Sequence, residues 1–204
     1  MLDVLLLASQ CAPNFPPEIL LTISKVESGH NPYAIGVVDG YLARQPGNKD
    51  EALATANMLH KEGWNFSMGI AQINLHNLAK YNLTFDSVFD PCDNLRIAAA
   101  IYNDCFQRAS LQYRSERDAQ LASYSCYYSG NFTRGFKAEG KDGLSYVDKI
   151  IAAMPASTAD KSLAAQPIPV IASRKKKAVT QETQTQDARL SRKQKTGVKE
   201  LRGN

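Results

Sequence analysis

Apolar residues recur at spacings of three and four along most of the first 154 residues, in blocks separated by short polar stretches that carry glycine and proline. That period is helical and predicts a mainly α domain with little strand. The segment from Met1 to Cys11 reads as a short first helix. A second runs over 17–28, with Pro17 at its start and Gly29 at its end, the residues helix termini favour. Residues 31–36 read as an extended loop, and 37–50, rich in Gly, Pro, Asp and Asn, as a loop or short hairpin. Asp50 is placed to cap a helix from Glu51 to about Lys61 that ends at Gly63. Trp64 to Asn74 begins extended and turns into a helix over about Asn74 to Lys80. After a turn at Asp90-Pro91, a strong helix spans Cys92 to Ser110, burying Leu95, Ala98, Ala99, Ile101, Tyr102, Cys105, Phe106 and Ala109. Further helices are predicted over about Glu116 to Tyr127 and over 142–153, the last burying Leu144, Tyr146, Val147, Ile150 and Ile151. No internal repeat is present.

Within the second helix one position breaks the pattern. Ile19, Leu20, Ile23, Val26 and Glu27 share a face, and the last of them is a carboxylate. Burial pushes a carboxyl toward its neutral, proton-donating form. Glu27 also sits in the last turn, where the negative end of the helix dipole pushes the same way. Both effects suit a general acid working near neutral pH. The pattern alone admits a plainer reading, a boundary residue that reaches solvent or pairs with an Arg.

Composition divides the chain. All 17 aromatic residues lie within 1–154, whereas 155–204 has none and carries 11 Lys/Arg against 4 Asp/Glu. The first 154 residues carry 13 against 16, so the overall +4 is a basic tail on a mildly acidic domain. The tail, with Arg174-Lys175-Lys176-Lys177 and a Gln/Thr-rich stretch, lacks the apolar surface to offset ordering and is expected to be disordered. Its charge suits solvation, an anionic surface or a protein partner. Without aromatics to stack bases, no nucleic-acid partner is expected. No stretch is apolar enough to span a membrane. The N-terminus carries Asp3 and no basic lead, so it reads as part of a mature domain rather than a signal peptide.

Four cysteines, Cys11, Cys92, Cys105 and Cys126, allow three pairings or four free thiols, depending on whether the chain is exported. No pair has metal-ligand spacing, and His30, His60 and His76 do not cluster with them, so no metal or other cofactor is expected.

Four motifs then occur in order: Val26-Glu27-Ser28-Gly29, Ser67-Met68-Gly69-Ile70-Ala71-Gln72-Ile73-Asn74, Ala98-Ala99-Ala100-Ile101, and Ser125-Cys126-Tyr127-Tyr128-Ser129-Gly130-Asn131. Over about 11–150 they resemble lytic transglycosylases, whose catalytic domain is lysozyme-like, of the Slt and goose type. Asn31-Pro32-Tyr33-Ala34-Ile35-Gly36 with the insert after it, Phe89-Asp90-Pro91-Cys92 and Cys126-Tyr127 are most similar to the VirB1 branch found with type IV secretion systems.

The resemblance implies a periplasmic, monomeric enzyme acting on peptidoglycan glycan strands. Glu27 would be its single acid/base, with Ser67, Gly69, Gln72, Asn74, Tyr127 and Asn131 as substrate contacts. Gly69 would let the backbone approach the sugar, and Tyr127 would place its hydroxyl near the carboxylate. The plainer alternatives are that Gln72 holds a loop and that Tyr127 fills the core. Two positions depart from the pattern: Tyr128 stands where Asn is usual, and Ala71 where a bulkier residue is common. The tail is the segment through which type IV secretion components would be engaged. Two other functions remain open, a hydrolase of the same bond with Asp39 activating water, and a peptidoglycan-binding assembly protein without catalysis.

Overall fold

The computed structural model describes residues 3–139 and 142–155. The basic tail therefore lies outside the described residues from 156 onward.

Helix α1 (Val4–Cys11) is capped by Asp3, whose side chain accepts from Leu6 N. Helix α2 (Pro17–Ser28) opens on its proline and closes at Gly29, which adopts the left-handed conformation at φ 61°. Strand β1 (Ile35–Val37) follows, then α3 (Lys49–Lys61), β2 (Phe66–Met68) and β3 (Ile73–Asn74). The second half comprises α4 (Phe85–Val88), α5 (Pro91–Ser110), α6 (Glu116–Ser129) and α7 (Tyr146–Ala153). The strands form a small antiparallel sheet in the order β1-β2-β3, pairing Gly36 with Ser67 and Ser67 with Asn74. The fold is mainly helical, as the lysozyme-like expectation required.

Local chemistry moves several boundaries. The cap of α3 is Asn48, which accepts from Glu51 N, so the helix begins two residues before the expected start and Asp50 sits in its first turn. The helix expected over 74–80 is a single 3-10 turn, Leu75–Asn77. Asn74 holds an extended backbone and accepts from His76 N, and the chain then closes mainly i to i+3 bonds until Asn82 turns it away at φ 53°. Helix α7 starts at Tyr146 because Ser145 and Asp148 form a reciprocal capping box. Leu144 consequently falls before the helix, and both it and Ile151 are exposed rather than buried. Helix α4 rests on a similar Thr84–Ser87 box that the apolar pattern does not signal.

One continuous core joins Leu20 and Ile23 of α2, Phe66, Met68 and Ile73 of the sheet, Leu95 and Tyr102 of α5, and Ile150 of α7. Helix α5 packs along α6, and α2 packs on both α1 and α7. Two disulfides resolve the pairing: Cys11–Cys92 ties α1 to α5, and Cys105–Cys126 ties α5 to α6.

Asn94, fully buried on α5, organises the turn after β2. Its Nδ2 donates to Met68 O and Val88 O, and its Oδ1 accepts from Ala71 N at 2.9 Å. One amide thus satisfies three buried backbone groups, each of which would otherwise carry a desolvation penalty. Among the described residues, no helix is long and apolar enough to cross a membrane. Nor, among them, is any group of three or more His, Cys, Asp or Glu placed to hold a metal ion.

Candidate active site

The last turn of α2, the small sheet and the end of α6 enclose an open cleft of about 630 Å³. Glu27 lines it. The helix places this residue by ending abruptly after it: Gly29 N donates to Lys25 O and His30 N to Ser24 O, a left-handed closure. Ser28 Oγ donates to Ile70 O at 2.7 Å and so fastens that turn to the segment after β2. Leu20 and Ile23, on the same helical face, are fully buried.

The Glu27 carboxyl is half-buried and meets no cation at ion-pair distance among the described residues. Its Oε1 accepts from the Tyr146 hydroxyl at 2.6 Å. Burial raises its pKa from 4.5 to about 7, and the Tyr146 hydrogen bond offsets part of the rise. Near neutral pH this group therefore exists in both forms, as an acid/base must.

Tyr127 also lines the cleft, but its hydroxyl donates to Ala71 O at 2.7 Å. Burial, with the nearby charge of Glu27, holds that phenol well above its ordinary pKa, so it stays a donor. The hydroxyl that reaches the carboxylate belongs to Tyr146, which arrives from α7. Nothing in the local sequence marks it: it reads as one more apolar position of an amphipathic helix.

Ser67, Gln72 and Asn74 line the cleft with Asn65. Asn74 Nδ2 donates to Asn65 Oδ1 at 2.9 Å and to Ser67 Oγ at 3.3 Å, a polar wall set by the β2–β3 register. Gln72 adopts φ 52° and its Nε2 donates to Ala34 O and Gly69 O, leaving Oε1 against Gly36. Its amide nitrogen is thus occupied in bracing the sheet, and the carbonyl oxygen is the part left to a ligand.

Two expected contacts are elsewhere. Asn131 is not on the cleft wall. Its Oδ1 accepts from Thr133 N and Arg134 N, turning the chain into a 3-10 turn over Arg134–Phe136. Gly69 is off the wall as well, with φ +80°, and a Cβ there would lie 2.2 Å from Asn94 Nδ2. Packing against Asn94 by itself requires a residue without a Cβ here. Gly69→Ala should lower stability by about 3 kcal/mol in urea unfolding, through a strained φ and displacement of Asn94. Unchanged stability with weakened glycan binding would restore the sugar role.

Asn65, Ile101 and Arg134 join the cleft without having been expected as contacts, and Tyr128 lines it too. Asp39, at φ 57°, brings a second carboxylate to the same wall. Ala71 is fully buried and reaches the site only through its carbonyl.

Comparison with known proteins gives this geometry a context. The transglycosylase SLT domain family matches residues 5–140. The type IV secretion system protein virB1 of Brucella suis biovar 1 is 49% identical over 159 residues, covering 78% of this chain and 66% of that protein. Protein virB1 of Agrobacterium fabrum is 30% identical over 134 residues, covering 63% of this chain and 52% of that protein. The corresponding figures for protein virB1 of Rhizobium radiobacter are 32%, 132 residues, 63% and 54%. The chain thus spans just under two thirds of the Brucella protein and about half of the other two. No solved structure matches it.

Proposed function

The chain belongs to the transglycosylase SLT domain family, and from that premise we propose that it is a peptidoglycan lytic transglycosylase acting for a type IV secretion apparatus. The observation that carries the reading is Glu27, a cleft carboxyl with its pKa lifted to about 7 and a tyrosine hydroxyl on its Oε1.

In its protonated form Glu27 gives its proton to the oxygen bridging N-acetylmuramic acid and N-acetylglucosamine. The bond from that oxygen to C1 breaks, leaving an oxocarbenium-like centre and a free hydroxyl on the departing sugar. The carboxylate so formed takes the proton of the muramoyl C6 hydroxyl as its oxygen bonds to C1. The product is the 1,6-anhydro sugar, and Glu27 is protonated again. One carboxyl suffices because the nucleophile belongs to the substrate and is already close. Ser67, Gln72 and Asn74, together with Asn65, offer the polar wall along which N-acetyl and hydroxyl groups of the strand are held. The chemistry requires no cofactor.

A hydrolase is the competing reading, favoured by one observation: Asp39 lines the same cleft and could activate water. Mass spectrometry of muropeptides released from purified sacculi decides between them. Products lighter by one water, with no reducing end, are expected; reducing ends would make the protein a hydrolase.

The type IV secretion assignment is supported by the Brucella relatives' name. Two disulfides suit an oxidising compartment and support a periplasmic site of action. The basic tail is the segment we assign to contact with secretion components.

A further inference from the structure

The chemistry above makes no use of Tyr128, although it lines the cleft. Its ring lies face to face with Tyr146, centroids 4.5 Å apart and planes 12° from parallel. Its hydroxyl donates to Glu139 Oε2, and Glu139 also lies 4.0 Å from the Arg134 guanidinium. Tyr146 in turn donates to Glu27. One continuous path of contacts therefore runs from Arg134 and Glu139 through two stacked rings to the carboxyl.

We propose that Tyr128 is a positioning residue for the catalytic acid: its ring, anchored by Glu139, holds Tyr146 so that the Tyr146 hydroxyl stays on Glu27 Oε1. This rests on the reading of Glu27 as the acid/base. The physical basis is the geometry of a phenol. The O–H lies in the plane of its ring, so the ring plane sets the direction of donation. The side-chain torsion at Cα–Cβ sets where the oxygen sits. A flat aromatic face against Tyr146 restrains both, as offset stacking does generally. The Glu139 bond keeps the stacked partner itself from swinging into the cleft. Tyr128 is 38% exposed, so solvent alone would not hold it there.

The titratable groups facing Glu27 come from every wall of the cleft: Tyr146 of α7, Tyr127 and Tyr128 of α6, Asp39 after β1 and Arg134 in the 3-10 turn. Of these, only the Tyr146 hydroxyl is hydrogen-bonded to it. Loosening that bond withdraws stabilisation from the carboxylate, so the Glu27 pKa must rise further.

The test is a titration of Glu27 by carbon-13 NMR in protein labelled at the glutamate carboxyls, the resonance being identified by its loss in Glu27→Gln. Tyr128→Leu should move the midpoint upward by about half a pH unit. Tyr128→Phe and Glu139→Ala, which keep a ring on Tyr146 and lose only the anchor, should move it less. Tyr146→Phe should move it most, and Tyr128→Leu added to Tyr146→Phe should move it no further, because the two residues act through one bond. On sacculi, the high-pH limb of the rate should follow the same order, with kcat several-fold lower and apparent KM within about twofold. An unmoved midpoint in Tyr128→Leu overturns the proposal, as do additive shifts in the double variant. A raised KM with an unmoved midpoint also overturns it, making Tyr128 a platform for a sugar ring. If the wild type releases no anhydro product, the functional reading fails, while the titration still decides the linkage.

Discussion

Glu27→Gln should release anhydro-muropeptides from sacculi about a thousandfold more slowly than wild type or worse, while folding normally and gaining stability at alkaline pH. The rate loss is that of removing the sole general acid and base of a two-step proton transfer. Glutamine preserves the shape and can still accept from Tyr146, so a loss of this size is chemical rather than structural. The stability gain follows from linkage. Glu27 has a native pKa of about 7 against a reference value of 4.5. Between those values the native state holds more protons than the unfolded chain, so stability falls as pH rises through that window. Below it the carboxyl is neutral in both states and costs nothing through ionisation. Above about pH 7 the full penalty of ionising a desolvated carboxyl is present, about 3 kcal/mol. Urea unfolding at pH 4 and pH 8 checks this: the variant should match wild type at the lower pH and exceed it by up to that amount at the higher. An equal difference at both pH values would show that ionisation of Glu27 is not what the fold opposes. Wild-type activity should fall as pH rises through about 7, because the protonated carboxyl starts the reaction.

What the sequence could say about this site followed from local period. A carboxylate at a helical spacing from Leu20 and Ile23 is an anomaly visible within twelve residues, and α2 closes where Gly29 said it would. The long helix α5 was legible for the same reason: Asp90-Pro91 starts it, and Leu95, Ala98, Tyr102, Cys105 and Ala109 lie on its buried side. Contacts made across the fold leave no such trace. Tyr146 lies 119 positions from the carboxylate it touches, in a helix whose pattern is explained by packing alone. Asn94 sits inside an apolar stripe and satisfies backbone groups 6, 23 and 26 positions away. Its side chain leaves no room for a Cβ at Gly69. The segment after Asn74 misled for the opposite reason. It has enough apolar residues to suggest a helix, but Asn74 caps a 3-10 turn that covers only Leu75–Asn77, and a side chain that bonds its own backbone outweighs a weak period.

The disulfides carry the second large effect, and it should be unequal between them. Cys11–Cys92 closes 81 positions of chain, Cys105–Cys126 only 21. If cross-links act mainly by restricting the unfolded chain, replacing both cysteines of the first pair by alanine should cost about 4.5 kcal/mol and of the second about 3 kcal/mol. The longer loop contains α2 with Glu27 and all three strands, so the first bond restrains most of the residues that build the cleft. Reactivity should run in the same order for a different reason. Cys92 is exposed and Cys11 half-buried, whereas Cys105 and Cys126 are both 2% exposed. Thiolate attack needs access to a sulfur, so a limited dose of reductant should open the more stabilising bond first. Alkylation and peptide mapping after such a dose should label Cys11 and Cys92 while Cys105 and Cys126 remain paired, and urea unfolding of that sample should match the Cys11→Ala/Cys92→Ala variant. Labelling of the inner pair first would mean that the α5–α6 contact opens in the native state. Equal stability losses would mean that native packing, not loop length, sets what each bond contributes.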